Sequence, residues 1–282
     1  MYRQKKYIMK NYMEIEIFPL PEKVKPYPRA KKIAGTSPAQ KRLNDKKAVK
    51  YFNRLVHTNF DHNDLFVDLT FNNENLPANR DEAMRTVKNY IARIRRLRKK
   101  QELPDLKYIY VISDCDDMGN KKRLHVHMIM NGGLDRDEIE KTWHCGYCQT
   151  DRLQPNEYGV TGKVMYMARQ SKGDRMWSAS KNLEKPVAIV SDKAISRGKV
   201  ETMERNPEDR AFFEKLYPGW TFTDCTVEYP DDDGLKRGTS FFIRMRKEIK
   251  WTPKKKQRSK TISKATQEKT KSSGRSKKTS TT

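Results

Sequence analysis

The chain has 282 residues, enough for one medium-sized domain with extensions, and carries 60 Lys and Arg against 36 Asp and Glu, a formal net charge of +24. No apolar run approaches the length of about 20 residues that a bilayer requires, and Met1–Lys6 followed by Ile8, Met9, Lys10 and Asn11 lacks the charged-then-apolar order of a signal peptide, so the expectation is a cytoplasmic protein with no membrane partner. A positive field of this size concentrates polyanions, which makes nucleic acid the expected partner, and four irregularly spaced cysteines (Cys115, Cys145, Cys148, Cys225) argue for reduced thiols.

Residues 1–43 mix basic residues with Pro19, Pro21, Pro26, Pro28 and Pro38, a composition that favours extended chain and predicts an arm or linker. From Asn44 to Phe60 the apolar positions Ala48, Tyr51, Phe52, Leu55 and Val56 recur at helical spacing behind an Asn44 or Asp45 cap. Leu65–Phe71 is a β-rich run closed by a turn at 72–77. Asn79 or Asp81 then caps a predicted helix to Lys100, with Met84, Val87, Tyr90, Ile91, Ile94 and Leu97 on one stripe and Arg93, Arg95, Arg96 and Arg98 mostly outside it.

Two further predicted strands, 107–112 and 123–130, flank the polar loop 114–122, and a short helix (134–143), a strand (146–153) and a helix (162–170) follow. The resulting β-α-β-β-α-β order predicts an α+β fold with a ferredoxin-like antiparallel sheet and helices on one face, with a catalytic core at about 60–185. Thr221–Tyr229 and Thr239–Arg246 read as an accessory hairpin within 186–250, whose place in the fold the pattern does not give. Trp251–Thr282 holds eleven Lys or Arg against one Glu, too little apolar surface to fold alone, and is expected to be a disordered basic tail that adds affinity for nucleic acid without sequence choice.

His125-Val-His127 lies in a predicted strand, where alternation turns both imidazoles to one face while Leu124, Val126 and Met128 point to the other. Two histidines preorganised in this way suit a divalent metal with positions left open for a phosphate oxygen and water. In the helix 162–170, Tyr166, Arg169 and Gln170 fall at i, i+3 and i+4 and share a face. A phenol is a poor nucleophile near neutrality, so Tyr166 would need a cation beside it and a clamp on its substrate, which a metal and Arg169 can supply. The plainer reading of the tyrosine is a ring packed with Val164 and Met165.

Taken together, Leu65-Phe-Val-Asp-Leu-Thr70, His125-Val-His127 and the Tyr166 helix resemble, in order and spacing, the three motifs of the HUH endonucleases. Within that superfamily Asn59-Phe60, Arg123–Asn131, Trp143–Gly146 and Trp177–Leu183 resemble rolling-circle replication initiators of plasmids and single-stranded-DNA phages, over about residues 44–247. The resemblance implies a Mg or Mn ion on His125 and His127, in-line attack by Tyr166 on single-stranded origin DNA, a 5′-phosphotyrosine link with a free 3′-hydroxyl, and rejoining by the reverse step. A host helicase is an expected partner.

This chain departs from the family pattern in two places. Arg169 stands where many relatives have lysine, and the third metal ligand is open between Asp114, in the stretch Ser113–Asp116, and Gln170. Asp68 occupies a usual threonine position, as a ligand or as a group ordering a histidine. Arg93, Arg96, Trp177, Lys181 and Asn182 are the expected DNA contacts. The lone pair of cysteines in Cys145-Gly-Tyr-Cys148 has no second pair and is read as structural. Two other readings share these features: a relaxase or single-tyrosine transposase of the same superfamily, and a non-catalytic nucleic-acid-binding protein.

Overall fold

The computed structural model describes residues 1–20, 36–116, 118, 120–170, 176–230 and 238–247, and is α+β with two five-stranded antiparallel sheets. The expected tail at 251–282 lies outside the described residues.

The site-bearing sheet contains β3 (Leu65–Thr70), β4 (Tyr108–Cys115), β5 (Lys121–Met130), β6 (Cys148–Arg152) and β7 (Ser178–Ala179) in the order β6-β3-β5-β4-β7. With α2 (Arg80–Lys100) after β3 and α3 (Arg136–Lys141) after β5, the first four strands form the expected ferredoxin-like unit. Asn79 caps α2, its side chain accepting from Glu82 N at 3.0 Å. The helix buries Ala83, Val87, Tyr90, Ile91 and Ile94 against Leu65, Val67, Leu69, Tyr110, Ile112, Val126 and Met128.

Helices cover both faces of this sheet, which corrects the expectation of one. On the second face lie α1 (Pro38–Asn59) and α4 (Thr161–Arg169), packing Phe52, Leu55, Val56, Val164 and Met167 on Phe66, Ile109, Val111 and Ile129. Helix α1 starts six residues earlier than its apolar pattern, because Ser37 accepts from Gln40 N and Pro38 sits at the first turn, where its missing donor costs nothing.

Residues 1–20 are not an arm. β1 (Tyr2–Met9) and β2 (Tyr12–Pro19) pair as a hairpin and sit inside the second sheet, of order β8-β1-β2-β10-β9, with β8 (Ala188–Ser191), β9 (Thr221–Glu228) and β10 (Ser240–Arg246). The predicted hairpin near the C-terminus therefore finds its place against β2. Met13, Ile15 and Ile17 of β2 face a core with Val200 and Met203 of α5 (Arg197–Arg205) and Phe213 of α6 (Arg210–Leu216).

The alternate residues of β2 face α1. Asn53 Nδ2 donates to Glu14 Oε1 at 2.8 Å, Arg54 Nε to Glu14 Oε2 at 2.6 Å, and Arg54 Nη2 to Glu16 Oε1 at 2.9 Å, with the guanidinium also 3.6 Å from the Tyr7 ring centroid. One side of α1 is thus apolar toward the first sheet and the other ionic toward the second. Burial holds the Glu14 carboxyl above its ordinary value, an effect that Arg54 and Asn53 only partly offset.

His57, one turn after Asn53, is fully enclosed. Its ring stacks on Tyr12 (centroids 4.2 Å apart), its Nε2 lies 3.1 Å from Thr161 Oγ1 at the start of α4, and burial lowers its pKa to about 3. Gly159 closes this packing: at φ +63° a Cβ there would lie 2.2 Å from His57 Cε1. The neutral ring thereby braces the start of α4, the helix that carries Tyr166.

Candidate active site

Register sets the site. On β5, His125 lies opposite Thr70 of β3 and Ser113 of β4, and His127 lies opposite Asp68 and Val111. Directly opposed residues share a face, so both imidazoles emerge on the α1/α4 side, beyond the apolar contacts of Ile129. His127 is buried at 4% exposure, stacked on Phe66 and set edge-on to His125.

Each ring is fixed from behind. His125 Nδ1 lies 2.8 Å from the Arg123 carbonyl oxygen, which only accepts, so Nδ1 carries that ring's proton. His127 Nδ1 donates in the same way to Asp68 Oδ1. For neutral rings both Nε2 atoms are then left with lone pairs, and both converge on Gln170 Oε1, at 2.9 Å from each. Three acceptors pointing at one another without a proton repel, and a cation at their meeting point removes the repulsion. The donor set, two imidazole nitrogens and one amide oxygen, fits a divalent metal.

Gln170 is held to 2% exposure at the end of α4, its backbone oxygen accepting from Ser113 Oγ at 2.7 Å and from Cys115 Sγ at 3.6 Å. The structure therefore brings Gln170, and not Asp114, to the histidine pair. Strand alternation turns Asp114 to the α2 face, where Arg80 Nη1 lies 3.7 Å from its carboxylate. Ser113 sits beside His125 but is engaged with Gln170, and Asp116 closes its own loop by accepting from Asn120 N at 2.8 Å.

Tyr166, one turn before Gln170, is not packed into the core with Val164. It is 38% exposed, and its ring meets His127 edge-on at 4.9 Å between centroids. Arg169 is exposed on the same helix, and so is Lys163, three residues before the tyrosine, with its Nζ 4.3 Å from the Phe66 ring centroid. The sequence reading passed over Lys163, although i, i+3 spacing to Tyr166 already placed it on that face.

The expected DNA contacts do not gather here. Arg93 and Arg96 lie on α2, across the sheet from the histidines, with Arg93 Nε donating to the Thr142 carbonyl at 3.2 Å. Trp177 is part of the packing on α1, its ring stacked 4.9 Å from Phe52. Lys181 and Asn182 line a cleft with Lys88, Arg95 and Lys99, and Asn182 Nδ2 donates to the Leu106 carbonyl at 3.3 Å. Cys148 is buried in the α2/α3 core, where burial pushes its thiol up to about 11, and Trp143 beside it donates to the Thr70 carbonyl. All four cysteines are free.

Residues 64–171 match a family model for replication-associated proteins of the ORF2 type. That stretch is less than half of the chain, runs from the edge of β3 to just beyond α4, and includes every residue of the histidine site. Comparison with curated proteins and with solved structures gives no match. Among the described residues no helix is long and apolar enough to cross a membrane.

Proposed function

We propose that this protein is a metal-dependent single-strand DNA endonuclease that initiates replication by nicking an origin and later rejoins the strand, in the manner of the HUH endonucleases its motifs resemble. The observation that carries the reading is the convergence of three lone-pair donors, His125 Nε2, His127 Nε2 and Gln170 Oε1, beside the exposed Tyr166. The similarity of residues 64–171 to a replication-associated family supports the replicative role.

A Mg or Mn ion on these donors would supply positive charge to a phosphate oxygen and to the phenolate as it forms. Tyr166 Oη forms the new bond to phosphorus and gives up its proton to solvent. The bond from phosphorus to the 3′-oxygen breaks, and that oxygen takes a proton to leave as a hydroxyl. Arg169 and Lys163, flanking the tyrosine on the open side of α4, bind the phosphodiester. Asp68 and the Arg123 carbonyl keep both histidine Nε2 atoms free to coordinate. Because the phosphotyrosine keeps the energy of the broken bond, the 3′-hydroxyl can reverse the attack without ATP.

The test is incubation with an end-labelled library of random single strands and Mn²⁺. An adduct stable to denaturant is expected from the wild type and none from Tyr166→Phe; an undiminished adduct in that variant removes Tyr166 from the role. A turned Gln170 amide would satisfy the same two nitrogens with its own protons, so titration with Mn²⁺ is the companion measurement. Binding lost on His125→Ala supports the metal centre, and no binding by the wild type refutes it.

A further inference from the structure

The cross-strand row that holds His125 does not stop at Thr70. Thr70 N donates to the Tyr147 carbonyl at 2.9 Å and Thr70 Oγ1 to the same oxygen at 3.2 Å, which continues the β3–β6 register one residue beyond Leu69–Cys148. Cys148 points into the α2/α3 core, so alternation turns Tyr147 to the opposite face, the one bearing the histidines. Two strand spacings of about 4.8 Å put its Cα about 10 Å from that of His125.

Tyr147 is 66% exposed, far more than the tyrosines that build the cores. Helices α1 and α4 cover the strands toward β4 and leave this edge open, with Thr70 and Gln149 also exposed and Lys121, Lys122 and Arg123 exposed at the start of β5. The backbone beneath the ring is fixed. Besides the two hydrogen bonds from Thr70, Gly146 at φ +153° presses on β3 so closely that a Cβ would lie 2.4 Å from the Thr70 oxygen. A large aromatic face is therefore presented to solvent on a rigid base, beside the proposed metal centre and a basic rim.

We propose that Tyr147 is a stacking platform for a nucleobase of the single strand, at a nucleotide neighbouring the scissile phosphate. The proposal rests on the reading that the strand lies across the histidine face. It assigns the ring a positioning role that neither charge nor the metal supplies. Stacking on an aromatic face is open to every base, so the platform fixes where the strand lies rather than which sequence it has.

The probe is a fluorescein-labelled dT20 single strand, with an abasic strand of the same length as control, bound to the full chain in EDTA at 150 mM salt, where phosphate contacts are weakened and the metal is absent. The wild type is expected to prefer dT20 over the abasic strand. Tyr147→Ala loses roughly 5- to 100-fold in affinity for dT20 and nothing for the abasic strand, the effect of removing one stacked base, whereas Tyr147→Phe keeps the preference. Equal dT20 affinity in Tyr147→Ala and wild type overturns the platform, and so does a Tyr147→Phe that binds as weakly as the alanine variant. Because no step depends on metal or on Tyr166, a missing Tyr166 adduct would sink the endonuclease reading and leave this result legible.

Discussion

Arg54→Met tests how the two sheets are tied together. Glu14 is 2% exposed and receives Arg54 Nε at 2.6 Å; removing the guanidinium leaves its carboxylate inside the protein with only the Asn53 amide. The variant's least costly escape is for Glu14 to take a proton. For a carboxyl of ordinary value 4.5, at 1.36 kcal/mol per pH unit, protonation at pH 7 costs about 3 kcal/mol. That is the expected loss, in line with the cost of breaking a buried ion pair, and it lowers Tm by about 6–12 °C in a domain of this size. Glu16 contributes little, since it is part-exposed and keeps Lys50 at 3.2 Å.

The sign of the pH dependence follows from the same protonation. A folded-state value raised above the unfolded one makes stability fall as pH rises from 4.5 upward, and the loss of Arg54 raises the folded value further. The deficit against wild type should therefore shrink by about 1.4 kcal/mol per unit on going from pH 7 toward 4.5. Urea titrations at pH 5, 6 and 7 read it directly, and adding Glu14→Gln to Arg54→Met should restore most of the loss at pH 7. A deficit that does not change with pH, or one below about 1 kcal/mol, refutes the account.

Three further outcomes follow from the site and its supports. Gln170→Ala is expected to weaken Mn²⁺ binding at least tenfold while Asp114→Ala leaves it unchanged, and isothermal titration of both decides which residue completes the donor set. Asp68→Asn, which cannot hold His127 with a full negative charge, should lose about 10- to 100-fold in Mn²⁺ affinity with its unfolding midpoint nearly unchanged; equal affinity removes its orienting role. Gly159→Ala combines a left-handed backbone costing about 1–2 kcal/mol with a collision on the His57 ring, so thermal unfolding should fall by more than the backbone cost alone, and an unshifted Tm contradicts the bracing of α4.

The β-α-β-β-α-β unit was legible because each element has a clean period: the stripe from Val87 to Ile94 in α2, and the alternation of Leu124, Val126 and Met128 against His125 and His127 in β5. What the pattern could not give was pairing across the chain. Tyr12-Met-Glu-Ile-Glu-Ile-Phe18 alternates as a strand should, yet the prolines downstream outweighed it, although only Pro19 falls in the hairpin and Pro38 merely opens α1. Helix α1 carries an apolar stripe that accounts for one neighbour, while Asn53, Arg54 and His57 on its other side look like a solvated face until β2 supplies Glu14, Glu16 and Tyr12.

Within the site, the histidine pair and the shared face of Tyr166 and Gln170 followed from local spacing alone. Choosing between Asp114 and Gln170 needed the β4–β5 register, which puts Ser113 on the histidine face and Asp114 off it. Trp177 failed for a related reason: its partner Phe52 is remote in sequence, so nothing near it announced that the ring was taken.

The second sheet has a consequence for how the chain reaches its folded state. β2 is flanked by β1, two residues away along the chain, and by β10, where Ile15 pairs with Ile243 across most of the molecule's length. Contacts of such separation bear a large loop-closure entropy before they return any burial. On a ribosome the catalytic sheet is complete in sequence by Ala179, while Met13, Ile15 and Ile17 wait for strands not yet made. The metal-bearing half is thus expected to gain protection from amide exchange first during refolding, with β2 and β10 closing together as the late step.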